Sequence, residues 1–110
     1  MADFLQVVTT VDSEDVAERL ARGITGARLA ACVQIVGPIK SIYWRQGELE
    51  EAREWQLLIK TTTGRIAELE DYIRENHGYD TPEITATVIS GGNDEYLDWI
   101  TAETRIDASS

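Results

Sequence analysis

Hydrophobic and polar positions change period several times along this chain, and each change marks a new element. Phe4-Leu5-Gln6-Val7-Val8-Thr9-Thr10 is a short, β-branched run that stops at Asp12 and Ser13, which predicts a strand followed by a helix cap. Val16, Leu20 and Ile24 then recur every fourth residue as one apolar stripe, and Gly26 stands where such a helix should end. Leu29 to Tyr43 and Glu54 to Thr62 read as two long extended runs around a polar segment whose natural turn is Gln46-Gly47. Thr63-Gly64 is placed to cap a second helix with the stripe Ile66, Leu69 and Ile73, closing near Gly78. Pro82 forces Thr81 into extended backbone, after which Ile84, Ala86 and Val88 alternate as a fourth strand. Ser90-Gly91-Gly92-Asn93 is a turn, and Asn93 or Asp94 caps a last short helix carrying Tyr96, Leu97, Trp99 and Ile100.

The order β-α-β-β-α-β plus a terminal helix predicts an α+β fold, a ferredoxin-like sandwich with a long hairpin between the second and third strands. Right-handed crossovers then put both main helices on one face of a four-stranded antiparallel sheet. That arrangement demands a central third strand and a second strand at an edge. Trp55-Gln56-Leu57-Leu58-Ile59 is apolar on both faces, as a central strand requires, and Gly37-Pro38 interrupts the second run in a way only an edge or a bulge tolerates. Helices on one side leave the other side of the sheet open. In the second run both the odd positions (Leu29, Ala31, Val33, Ile35) and many even ones (Ala30, Cys32, Val36, Ile42) are apolar, so the open face or the hairpin is expected to pack against another copy of the chain.

No repeat, low-complexity tract or linker divides the chain, so residues 1–110 are expected to form a single domain. Of the 110 residues 43% are hydrophobic, enough for a packed core, while 20 acidic side chains against 10 basic ones leave a net charge of −10. A phosphate backbone would be repelled over most of such a surface, which argues against nucleic acid as a partner. Apolar stretches fall far short of the roughly 20 residues that a spanning helix needs, so no membrane segment is expected. Met1-Ala2-Asp3 lacks the basic start and apolar block of a secretory signal, and the expected address is cytoplasmic. Cys32 is the single cysteine and excludes an intrachain disulfide.

Few residues carry chemistry. Cys32 offers a soft ligand for Cu(I) or another thiophilic ion, or fills space as a small buried hydrophobe within Leu-Ala-Ala-Cys-Val. His77, the single histidine, suits a metal ligand or general base, or a helix C-terminus favoured by the dipole when charged. Tyr79 and Glu83 follow closely, so this loop can bring imidazole, phenol and carboxylate to one pocket. One Cys and one His cannot close a Cys/His zinc site, and a metal would draw on carboxylates or neighbouring subunits. Lys60 interrupts an apolar strand and must reach solvent, a ligand, or a carboxylate such as Glu54 or Glu83. Thr61-Thr62-Thr63-Gly64 offers backbone N–H groups to an anion or serves as an ordinary cap. Glu48, Glu50, Glu51 and Glu54 form either a solvated face or a weak hard-cation site. Ser90-Gly91-Gly92-Asn93 lacks the Lys-Ser/Thr ending of a phosphate loop, and no Gly-x-Ser-x-Gly elbow is present. No catalytic constellation emerges, so the expectation is a binding protein, not an enzyme, with no organic cofactor.

Leu29-Ala30-Ala31-Cys32-Val33, Ser41-Ile42-Tyr43, Leu58-Ile59-Lys60-Thr61, His77-Gly78-Tyr79 with Pro82-Glu83-Ile84, and Tyr96-Leu97-Asp98-Trp99-Ile100 together resemble the CutA family, the divalent-cation tolerance proteins. The resemblance runs from Phe4 to Glu103. It implies a homotrimer built like the PII signalling proteins, with sheets inside and helices outside, that binds copper or other divalent metal ions in metal-ion response and homeostasis. Cys32 and His77 are then the metal-ligand candidates, and Lys60, His77, Tyr79 and Glu83 are candidates to line clefts between subunits. The alternatives are a PII-like small-molecule sensor or signalling adaptor that uses those clefts, and a trimeric scaffold for a partner protein. Gly78 replaces the proline usual in the family, Gly37-Pro38 replaces Pro-Gly, and the tip Tyr43-Trp44-Arg45-Gln46-Gly47-Glu48 departs from the usual Tyr-x-Trp-x-Gly-Lys.

Overall fold

Ser13 opens the first helix as its position suggests: its hydroxyl oxygen accepts from the Val16 N–H at 3.1 Å. The structure is a computed structural model that describes residues 3–105. It contains strands β1 (Phe4–Val11), β2 (Cys32–Arg45), β3 (Glu48–Thr62) and β4 (Thr85–Val88), with helices α1 (Glu14–Gly26), α2 (Ile66–Asn76) and α3 (Asp94–Glu103). The sheet runs β2-β3-β1-β4 with every pair antiparallel, so β3 is central and β2 an edge, the order a ferredoxin-like fold requires.

One face of the sheet carries the main core. Val7, Val11, Leu57 and Ile59 pack beneath Ala17, Leu20 and Ile24 of α1 and Leu69 and Ile73 of α2. Ile24, Leu57, Ile59, Leu69 and Ile73 are fully buried, each contributing about 1.5–3 kcal/mol of transfer free energy. The other face alternates with it: Gln6 stands across from Lys60, Val8 across from Leu58, and Cys32 and Gln34 flank the same two β3 residues on the far side. This face is mixed rather than uniformly apolar, and it is not left wholly open. Helix α3 crosses it at the Thr62 end, where the Thr62 and Thr104 hydroxyls lie 3.4 Å apart and Ile100 is fully buried outside the main core.

The elements differ from the sequence reading at four places. β3 begins at Glu48, six residues before the apolar run, because Ile39 to Arg45 of β2 pair with Glu54 to Glu48 and hold polar side chains in an extended ribbon. Leu29 and Ala30 lie in the turn before β2 yet are buried, since Arg28 takes a positive φ of 58° and turns the chain back over the core. Thr63 does not cap α2: Thr63–Arg65 form a 3-10 turn without a side-chain cap, and α2 starts at Ile66. Ile84 packs against the core but precedes the strand pairing of β4. Asn93 does cap α3, accepting from the Glu95 and Tyr96 N–H groups at 2.9 and 3.3 Å.

Between Val36 and Ile39 the β2–β3 register shifts around a cis Gly37-Pro38 peptide. A Cβ on Gly37 would sit inside the Trp55 indole, so this position admits only glycine without moving the ring. Past the shift the hairpin is two strands alone. Ile42, Trp44 and Leu49 are 63%, 74% and 61% exposed there.

Candidate functional site

The end of β1, the middle of β3 and the loop after α2 meet on the face opposite α1 and α2. His77 leaves α2 in extended backbone, which returns the chain toward the end of β1. Its Nε2 lies 2.7 Å from the Thr10 carbonyl oxygen, and its Nδ1 accepts the Tyr79 N–H at 3.0 Å. A carbonyl only accepts and an amide N–H only donates, so these partners assign the neutral Nε2–H tautomer. Both ring nitrogens are thereby engaged, and a metal on His77 would displace one of the two bonds. The ring also packs on Tyr79, with centroids 4.8 Å apart.

Tyr79 in turn donates its O–H to Glu54 Oε2 at 2.8 Å. Burial first, then the Glu54 carboxylate, with Asp12 and Tyr43 adding to it, holds the Tyr79 phenol well above its ordinary range. It is therefore a fixed donor, not a source of phenolate. Glu54 is 8% exposed. Asp12 follows the last β1–β3 pair, Val11 with Trp55, and lies near enough to Tyr79 to add to the rise of its phenol. Among the described residues no Lys, Arg or His forms an ion pair with Glu54.

The remaining sequence candidates lie elsewhere. Lys60 Nζ donates to Gln34 Oε1 at 3.0 Å, not to Glu54 or Glu83. Glu54 is six residues away on the same strand, about 20 Å at the usual rise, whereas Gln34 is on the neighbouring strand. Cys32 is a half-buried free thiol beside Lys60 and close to Tyr96 of α3; burial and then this thiol push the Tyr96 phenol upward. Cys32 is level with Lys60 while His77 is tied to Thr10, level with Gln56, so the two metal candidates are about 13 Å apart along the strands. Glu83 is exposed, without a side-chain hydrogen bond or ion pair among the described residues. No three His, Cys, Asp or Glu side chains cluster as a metal site among those residues.

The threonine run borders an open cavity of about 480 Å³ with Phe4, Gly64, Arg65, Thr101, Thr104 and Arg105. Its capacity for an anion is reduced: the Thr63 N–H binds the Asp3 carbonyl, and Arg65 is spent on Glu68 and the carbonyls of Ala27 and Arg28. Glu54 is the residue that sequence reasoning misplaced, grouping it with solvated acids. Its signal was position, since it begins the stretch in which β3 is buried on alternate sides.

The family model of the CutA1 divalent ion tolerance protein matches residues 5–103. This chain belongs to the CutA1 family. It is 47% identical over 98 residues to the divalent-cation tolerance protein CutA of Thermus thermophilus, covering 89% of this chain and 95% of that protein. A solved structure of the Thermus thermophilus divalent cation tolerance protein superposes with a TM-score of 0.91 at 45% identity, over 93% of this chain and 99% of that one. A CutA from Archaeoglobus fulgidus, described as periplasmic, gives a TM-score of 0.88 at 39% identity over 96% of this chain and all of that one (100%). The CutA1 family thus accounts for the fold, including the hairpin and α3.

Proposed function

We propose that this CutA1 family member acts in the response to divalent cations as a cytoplasmic homotrimer whose ligand sites are completed between copies. The observation that carries the reading is the hairpin. Ile42, Trp44 and Leu49 stand exposed on a two-stranded ribbon that no helix among the described residues covers, and such a ribbon is marginal in water alone. A second and third copy would bury it, and the family resemblance supplies the number three. The protein works by binding, not turnover. Copper or another thiophilic cation draws on the Cys32 thiolate, with further ligands from neighbouring copies, because His77 is committed to Thr10 and Tyr79.

Native mass spectrometry with and without Cu(II) tests this directly. Three chains with bound copper, reduced by Cys32→Ser, are expected; single chains at low micromolar concentration would overturn the assembly, and unchanged copper uptake in Cys32→Ser would overturn the ligand. A second reading, a sensor of small molecules, is favoured by the buried Glu54–Tyr79 pair, which a metal-only role leaves unused. Stabilisation by small organic ligands in a thermal-shift panel, without copper, would favour it.

A further inference from the structure

Glu54 presents an imbalance that the fold does not resolve. A carboxylate 8% exposed has, among the described residues, one side-chain hydrogen-bond partner, the neutral Tyr79 phenol, and a second acid, Asp12, acts on that same phenol. Buried carboxylates are ordinarily matched by a cation, because desolvation of the charge is otherwise uncompensated. The described residues supply none.

We infer that Glu54 is the recognition point for a nitrogen cation, an ammonium or guanidinium group arriving from outside the subunit. This deepens the small-molecule reading and rests on it for a free ligand. The surrounding chemistry selects the class. The Tyr79 hydroxyl is committed as donor to Glu54 and both His77 nitrogens are occupied, so neither is free to ligate a metal, and carboxylates alone hold a hard cation weakly. An N–H cation needs only what is present: free carboxylate lone pairs to accept its protons, and the aromatic rings of Tyr79 and His77 beside them. The group comes either from a free amine or guanidine or from a lysine or arginine of a second copy. The same geometry receives both.

Thermal shift and native mass spectrometry on the whole protein separate the sources. L-arginine and 1,4-diaminobutane serve as probes, with sodium chloride at matched ionic strength as the control. For a free ligand, a probe stabilises the wild type, and Glu54→Gln weakens its apparent affinity at least tenfold while Glu51→Gln, on the exposed hairpin, leaves it unchanged. For a second copy, no probe acts, but Glu54→Gln weakens self-association at least tenfold and Glu51→Gln does not. Asp12→Asn is the parallel variant should Glu54→Gln fold poorly, and it lowers either readout in the same direction. The inference is overturned if the folded Glu54→Gln protein matches wild type in both readouts. Stabilisation by nucleotides or inorganic phosphate that survives Glu54→Gln overturns this inference while sparing the sensor reading; a sensor reading without any responding ligand fails separately.

Discussion

Replacing Tyr79 by phenylalanine removes one oxygen and isolates the bond on which the site depends. In the wild type that oxygen donates to Glu54 at 2.8 Å, and Glu54 is buried. Hydrogen bonds to charged groups contribute about 1.5–3 kcal/mol, so Tyr79→Phe is expected to destabilise the protein by about 2 kcal/mol at pH 7. The effect carries a pH signature. The folded phenol is held above the ordinary tyrosine value of about 10, so between that value and its folded one the unfolded chain has released a proton that the folded chain retains. Stability contributed by this group is therefore complete below about pH 10 and falls as pH rises beyond it. Urea unfolding of both proteins at pH 7, 9, 10 and 11 reads the difference, and subtraction cancels the other tyrosines and lysines. The gap between wild type and Tyr79→Phe should hold to pH 9 and narrow by pH 11. A gap near zero at pH 7, or one that widens in alkali, would refute the assignment of Tyr79 as donor to Glu54.

Gly37→Ala should cost about 1–3 kcal/mol in urea unfolding, since its methyl must displace the Trp55 indole; a neutral result would mean that the ring moves freely. Ser13→Ala loses the bond to the Val16 N–H, and a drop of about 1 kcal/mol in the same assay is expected. Ile73→Ala, at a fully buried site between α2 and the sheet, should cost about 2–5 kcal/mol by chemical denaturation. The paired change Ile42→Ser with Trp44→Ser should instead leave the secondary structure by circular dichroism intact and lower the assembled mass in light scattering.

Periodicity exposed the fold because burial on the helix face is strict. Val16, Leu20 and Ile24, and again Leu69 and Ile73, recur at helical spacing because they meet the same strands, and Ser13 and Asn93 mark helix starts through bonds that need no tertiary context. The elements that escaped are those whose conformation comes from pairing. Glu48 to Arg53 are extended because β2 lies alongside, and nothing apolar in that segment announces it. Leu29 is apolar for the core but reaches it from a turn that Arg28 makes possible, so its hydrophobicity reads as strand when it is not.

The site was legible only as a loop. His77 and Tyr79 are two residues apart, and their mutual contact is local, but the atoms that fix them belong to Thr10 and Glu54, distant in sequence and brought close by antiparallel β1–β3 pairing. The charged residues from Glu48 to Glu54 look alike in composition; the ladder alone separates the one that turns toward Tyr79 from those that face water. The same ladder keeps Lys60 from Glu54. Both point to one face of β3, as their even spacing demands, but six residues of strand lie between their levels, and a lysine side chain cannot cross that distance while Gln34 sits on the adjacent strand. An alternation of residue types thus gives the face of a charged group correctly and says nothing about its level along the strand, and at this site the level decides which charges meet.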